Sequence, residues 1–326
     1  MKILVPLNDA SMASHLRELG ADEFYMGFYD RAWTRRFGER ADVNRMSGFG
    51  PRANRYSFEE CCEVIAALRG APVYVTLNAA HYTSQQVTMQ RVYLRELAQA
   101  GAAGAIVSTP AQVVAAREAG LAAVASTMCG IYNAQSAQTY IDLGASRIIL
   151  PRDLTLRDIE LIMERASGVE YEAFLMRNGC IFSDSSCLGL HTPLHGSTCG
   201  AVRTCEREVL LARDDFAARH DAELADHLYS RAFHHNACGM CAAWRLARLG
   251  IASAKVVGRA DDVDSLARDV ALVRRNLQIA QLCEREADYL RRMELPAGAS
   301  ELCRLGFSCY YPEVRWGEQV PGVQLA

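Results

Sequence analysis

The sequence predicts an α/β fold, a TIM-type (β/α)8 barrel with a cysteine-rich insertion after strand 7. Three observations lead there. Short apolar runs alternate with amphipathic stretches and glycine-containing turns, as repeated βα units require. Six of the twelve cysteines crowd between Cys180 and Cys241, in one interruption of that rhythm. No G-x-G-x-x-G follows the first apolar run and no compositional break marks a second domain, which disfavours a doubly wound open sheet.

Each strand is assigned on β-rich apolar character sufficient for burial on both faces. The candidates are Lys2 to Leu7, Glu23 to Gly27, Val73 to Leu77, Ala105 to Ser108, Ala122 to Ser126, Arg147 to Leu150 and Tyr171 to Met176, with Ser253 to Val257 as the eighth. Between them the helical pattern covers Ser11 to Leu19, Ser57 to Arg69, Ser84 to Ala100, Pro110 to Ala119, Ala134 to Leu143 and Thr155 to Ala166. Thr155 stands three residues ahead of Asp158 and Thr109 precedes Pro110, both helix starts, while Gly20, Gly101, Gly120 and Gly144 end the preceding helices.

Two segments break the alternation: Asp30 to Tyr56, rich in Arg, Gly and Asn, and the stretch after Met176. In a barrel both emerge where strands end, at the catalytic face. Residues Glu206 to Phe233 read as one or two helices carried within the insertion, and a last helix from Val263 to about Tyr289 closes the barrel. The resulting organisation is one barrel over residues 1–295, including an insertion at 177–252, and a tail at 296–326 that packs on the outside.

The 326 residues, half of them hydrophobic, suffice for one large core. A net charge of -3 and 22% charged residues give no bulk attraction toward nucleic acid or membrane, although a local basic patch that binds nucleic acid is not excluded. The N-terminal apolar run is five residues long before Asn8 and Asp9, too short for a signal-peptide core, and no stretch approaches the ~20 apolar residues of a membrane span. A cytoplasmic location is expected. There, cysteines serve as metal ligands, redox groups or packing rather than disulfides.

The clustered cysteines follow the order Cys180-x6-Cys187-x11-Cys199-x5-Cys205, then 32 residues, then Cys238-x2-Cys241. Thiolates suit zinc and iron–sulfur clusters alike. A structural zinc site usually shows two close pairs, whereas here Cys238 and Cys241 form one, so the wide spacing suits a cluster better. Zinc and unliganded packing stay open as alternatives. Of Cys61, Cys62, Cys129, Cys283, Cys303 and Cys309, most read as buried fillers, with Cys129 placed just past the fifth strand and facing the mouth.

Several segments resemble the collagenase-like peptidases of unassigned catalytic type, peptidase family U-thirty-two. They are Val75-Thr76-Leu77-Asn78, the run Asn133 to Leu150 leading into Pro151-Arg152-Asp153-Leu154-Thr155, Glu170-Tyr171-Glu172-Ala173-Phe174 before Cys180, and Cys238 followed by Lys255-Val256-Val257-Gly258-Arg259. The resemblance spans most of residues 1 to 282. It implies a 4Fe-4S cluster on Cys180, Cys187, Cys199 and Cys238, with Cys205 and Cys241 as alternates, and an oxidoreductase that supports oxygen-independent hydroxylation of ubiquinone precursors or RNA bases. Met176-Arg177 stands where the family usually has His-Gly, and Val257 replaces a frequent glutamate, so a family acid/base pair is absent.

Asn8, Asn78, Ser126, Thr127, Arg152, Lys255 and Arg259 fall at strand ends, where barrel enzymes place working groups. As a set they suggest an anionic substrate, small or tethered. Asn8, Asn78, Thr127, Lys255 and Arg259 are the candidate substrate binders, and Glu172 and Arg152 the candidate catalytic residues. Glu172 could orient a ligand or act as a base; a salt bridge between Arg152 and Glu170 or Glu172 is the competing structural reading. His191, His195, His234 and His235 flank the cysteines and read mostly as surface residues. The absence of G-x-S-x-G and H-E-x-x-H leaves a peptidase or peptide-modifying reading without a local motif. A third reading is a non-catalytic partner of a related barrel subunit.

Overall fold

A computed structural model describes residues 1–39, 41–180, 183–187, 237–297 and 309–316. The chain opens with β1 (Lys2–Pro6), α1 (Ala13–Glu18), β2 (Glu23–Met26), the short β3 (Phe28–Tyr29), α2 (Arg31–Phe37), β4 (Tyr56–Ser57) and α3 (Phe58–Ala67). It continues through β5 (Val73–Leu77), α4 (Ser84–Ala100), β6 (Gly104–Val107), α5 (Pro110–Glu118), β7 (Ala122–Ala125), α6 (Ala134–Asp142), β8 (Arg147–Ile149), α7 (Leu156–Arg165) and β9 (Glu170–Met176). From Ala243 onward come α8 (Ala243–Leu249), β10 (Ser253–Val256), α9 (Val263–Leu282), α10 (Glu286–Arg292) and α11 (Glu313–Trp316).

Eight strands close into a barrel in the order β1-β10-β9-β8-β7-β6-β5-β2, every pair parallel. The eight expected strands are all present. Helix starts follow the chemistry read from the sequence: Thr155 and Thr109 each close a capping box, with Asp158 and Gln112 as the returning partners. Apolar faces of the helices pack on the strands to form one core, with Leu16, Ile65, Leu94, Leu97, Val113, Ile159 and Val273 among its fully buried members.

The structure departs from expectation at three places. The segment Asp30 to Tyr56 contains α2, capped by the Asp30 carboxylate, and the β3–β4 pair that ties the segment's two ends together. The expected last helix is two helices, because the chain is extended at Cys283, between α9 and α10. The tail was expected on the outside, yet the backbone of Cys309 pairs in parallel with that of Cys238 and the Tyr311 hydroxyl donates to the Phe174 carbonyl at 3.2 Å, so its described part lies across the end of β9. The helices expected within Glu206 to Phe233 lie outside the described residues. Among the described residues no helix is long and apolar enough to cross a membrane.

Candidate active site

The barrel interior carries charge where apolar layers are the rule. At the start of β8, the buried Arg147 guanidinium donates to Glu23 at 2.7 and 2.9 Å, to Glu170 at 2.6 and 2.8 Å and to Glu172 at 3.3 Å, and it stacks 5.0 Å from the Tyr74 ring centroid. Glu23, Arg147 and Glu170 are each the first residue of their strand, so this hub closes the floor. Because β9 alternates, Glu172 projects inward one layer higher, where Lys255 Nζ donates to it at 2.8 Å and lies 4.1 Å from the Tyr25 ring centroid. Burial pulls the Lys255 pKa down; Glu172 offsets only part of that effect.

Above this pair Arg259 enters from the loop after β10. It donates to Thr76 Oγ1 at 2.7 Å and to Asn44 Oδ1 at 3.1 Å, both neutral, and no carboxylate among the described residues pairs with it. Burial pulls its pKa down to about 10. Asn44 is in turn fixed by its donation to Asn54 Oδ1 at 2.9 Å. A Cβ on Gly27 would collide with the Arg259 guanidinium and with the Asn54 side chain, so the absence of one there lets three polar groups meet.

At the rim, Asp184 is clamped between Arg45 and Arg152, and all three are largely withdrawn from solvent. Burial opposes ionisation of Asp184, but the two guanidiniums hold its carboxyl well below the usual carboxylate range. Arg152 also lies 3.9 Å over the Phe174 ring, and its buried Nε has no hydrogen-bond partner among the described residues. The expected bridge from Arg152 to Glu170 or Glu172 is therefore corrected: Arg152 pairs with Asp184, and both glutamates serve Arg147. Glu172 and Arg152 do not form a catalytic pair by contact.

Asn78 accepts from the Arg45 amide at 3.4 Å and donates to Ser126 Oγ at 3.2 Å, and Thr127 is buried in the turn that follows. Asn8 commits its side chain to backbone, donating to the Arg52 carbonyl at 2.6 Å and accepting from the Arg55 amide at 3.3 Å. Asn8 thus shapes a loop, while Asn78, Lys255 and Arg259 line the barrel's upper half.

The insertion begins with two residues in the left-handed region, Arg177 (φ 61) and Asn178 (φ 53), held by the pairing of Arg177 with Asp269 and a 3.4 Å donation from Asn178 to Asp261. Cys180 follows and acts electrostatically on Arg152; Cys187, whose amide donates to the Asp184 carbonyl at 3.2 Å, acts on Arg45. Cys238 is buried in a bridge against Met176, and its Sγ accepts from the Met240 amide at 3.4 Å; Cys241 is buried nearby. Cys180, Cys187 and Cys238 therefore all stand at the mouth. Cys199, Cys205, His191, His195, His234 and His235 lie outside the described residues. Among the described residues no three His, Cys, Asp or Glu side chains converge as metal ligands. The donor set nevertheless fits a sulfur-ligated group, because three soft thiols, those of Cys180, Cys187 and Cys238, stand at the same end of the barrel.

Asp184, Arg45, Arg147 and Asn44 were missed by sequence reasoning. The signal available for the floor was a charged residue opening an otherwise apolar strand, at Glu23, Arg147 and Glu170 alike. For Asp184 it was an acid flanked by Ser within the Cys180 to Cys187 spacing.

The sequence profile of peptidase family U32 matches residues 9–317. The "23S rRNA 5-hydroxycytidine C2501 synthase" of Escherichia coli is 27% identical over 59% of this chain and 26% of that protein. The "tRNA hydroxylation protein P" of Helicobacter pylori is 24% identical over 58% of this chain and 42% of that protein. An uncharacterized protease of Methanocaldococcus jannaschii is 27% identical over 64% of this chain and 49% of that protein. The chain thus spans between a quarter and a half of the length of these relatives. Among solved structures, a U32 peptidase superposes with a TM-score of 0.40 at 19% identity, over 55% of this chain and 70% of that one.

Proposed function

Since this chain belongs to peptidase family U32, we propose that it is an iron–sulfur enzyme supporting oxygen-independent hydroxylation of a small or tethered anionic substrate, with an RNA base as the leading candidate. The supporting relatives are those whose names specify hydroxylation of rRNA or tRNA. The observation that carries the reading is the clamp of Asp184 by Arg45 and Arg152, which fixes the segment bearing Cys180 and Cys187 at the barrel end where Cys238 also stands.

Cys180, Cys187, Cys199 and Cys238 would hold a 4Fe-4S cluster, which when bound supplies single-electron transfer. Arg259, a buried cation whose hydrogen-bond partners among the described residues are neutral, is the group that binds an anionic substrate, since a carboxylate or phosphate there gains a charge-assisted hydrogen bond. Beneath it Lys255 Nζ holds a proton against Glu172 and is poised to pass it to the bound substrate. Asn78 orients the rim by fixing the Arg45 backbone.

Anaerobic purification tests the reading. About four irons per chain, a broad absorption band near ~400 nm, and a hydroxylated nucleoside lost from total RNA when the gene is deleted are expected. Colourless protein with stoichiometric zinc overturns it.

A further inference from the structure

Cys309 belongs to a group of cysteines that the sequence reads mostly as fillers, and the structure gives it a specific neighbour. It is the parallel bridge partner of Cys238, and the next amide, that of Tyr310, donates to the Cys238 carbonyl at 3.0 Å. Residues directly paired across parallel strands project their side chains to the same face, and neighbouring strands lie roughly 4.8 Å apart. That separation falls inside the roughly 4.4–6.8 Å between Cα atoms that a disulfide spans.

The pairing is held from several sides. The Tyr310 hydroxyl donates to the Arg177 carbonyl at 2.5 Å, the Tyr311 hydroxyl to the Phe174 carbonyl at 3.2 Å, and Glu313 Oε1 accepts from the Leu156 amide at 2.6 Å. Beside Cys238, a Cβ on Gly239 would stand 2.9 Å from the Tyr311 ring, so the segment seats against bare backbone. Three tyrosine and glutamate anchors in five residues bring Cys309 back to the same neighbour.

We propose that Cys238 and Cys309 form a thiol–disulfide couple that oxidises when the Cys238 sulfur is not engaged by a metal, covalently joining the 309–316 segment to the end of β9. The oxidant is a low-molecular-weight disulfide such as oxidised glutathione. Cys309 is the more exposed of the two, Cys238 being 7% exposed, so Cys309 meets the oxidant first. Its thiolate attacks one glutathione sulfur, breaking that S–S bond and releasing one glutathione thiol. Cys238 then attacks the Cys309 sulfur of the mixed disulfide and releases the second. Two protein thiols are oxidised by two electrons, one glutathione disulfide is reduced to two thiols, and the two protons pass to the departing thiolates.

The couple does not depend on the iron reading. The test treats the full chain, stripped of metal by a chelator, with oxidised glutathione, caps remaining thiols with N-ethylmaleimide and digests without reduction. Mass spectrometry should find the Cys238 and Cys309 peptides joined, two hydrogens lighter than their sum. Cys309→Ser should abolish that species while unfolding at the wild-type temperature, and Cys241→Ser should leave it intact. Linkage of Cys238 to another cysteine, or both residues capped, overturns the proposal. If the joined peptide forms in a chain that never takes up iron, the cluster reading fails and the couple stands; protection of Cys238 by bound iron supports both.

Discussion

Lys255 Nζ donates to Glu172 at 2.8 Å in the middle of the barrel, where Glu172 is 0% exposed and Lys255 7%. Breaking one side of such a pair leaves an uncompensated buried charge, whereas removing both does not. Glu172→Gln is therefore expected to lower unfolding stability by about 3–5 kcal/mol, and adding Lys255→Met to restore more than half of that. Urea unfolding of the two variants checks it; equal losses would mean that the Arg147 contact, not Lys255, holds Glu172 in place.

Arg259 presents the opposite case, a buried cation without an acid partner among the described residues. Arg259→Met keeps much of the side-chain volume and removes the desolvation cost, so the melting temperature should rise, by an amount equivalent to about 1 kcal/mol. The same change should reduce turnover at least tenfold. Thermal unfolding and nucleoside analysis measure the two effects separately, and a fall in both would make Arg259 a structural residue.

Asp184 holds two arginines that repel each other once it is neutral. Asp184→Asn is expected to lower stability by about 3 kcal/mol and to halve the iron retained per chain, with Asp184→Glu intermediate. Iron content with thermal unfolding decides; unchanged iron would detach the clamp from the cysteines.

Ligand cysteines and filler cysteines should separate cleanly. Cys180→Ser, Cys187→Ser and Cys238→Ser should each deplete iron, while Cys61→Ser should not. Cys61 is fully buried in α3, where burial pushes its thiol up, and burial likewise raises Cys129 to about 12, so neither supplies a thiolate readily. Iron assay of the four variants is the measurement.

Burial pushes the Asp42 carboxyl up to about 6. A carboxyl raised on folding binds its proton more tightly in the folded state, so stability is lost as pH climbs from the ordinary carboxylate range through 6. Asp42→Asn should thus stabilise the protein at pH 7.5 by about 1 kcal/mol, after allowance for solvent screening, and have little effect at pH 4. Chemical unfolding at the two pH values tests the sign.

The barrel was legible because its signals are local: apolar runs of strand length, Thr109 and Thr155 as caps, and glycines after helices. The interior was not, because which face of a strand a residue occupies depends on closure. Arg147 and Glu172 stand on neighbouring strands, but Glu23 lies 124 positions from Arg147 and meets it only when the sheet curls into a cylinder. Lys255 and Arg259 were identified as substrate groups from their strand-end positions, but their different electrostatic situations follow from neighbours such as Asn44 that no motif announces. Arg152 was assigned the nearest acids by strand order, yet it pairs with Asp184, which residues 183–187 bring to the rim. Cys309 shows the same limit: a bridge to Cys238 some seventy positions upstream leaves no periodic trace.

The crowding around Gly27 makes that residue a marker for reading other chains of this architecture. A methyl group there would overlap the Arg259 guanidinium and Asn54 Oδ1, so both side-chain ends would have to swing aside and their present arrangement would be lost. Bare backbone at this point thus marks a chain that can keep a guanidinium in that position.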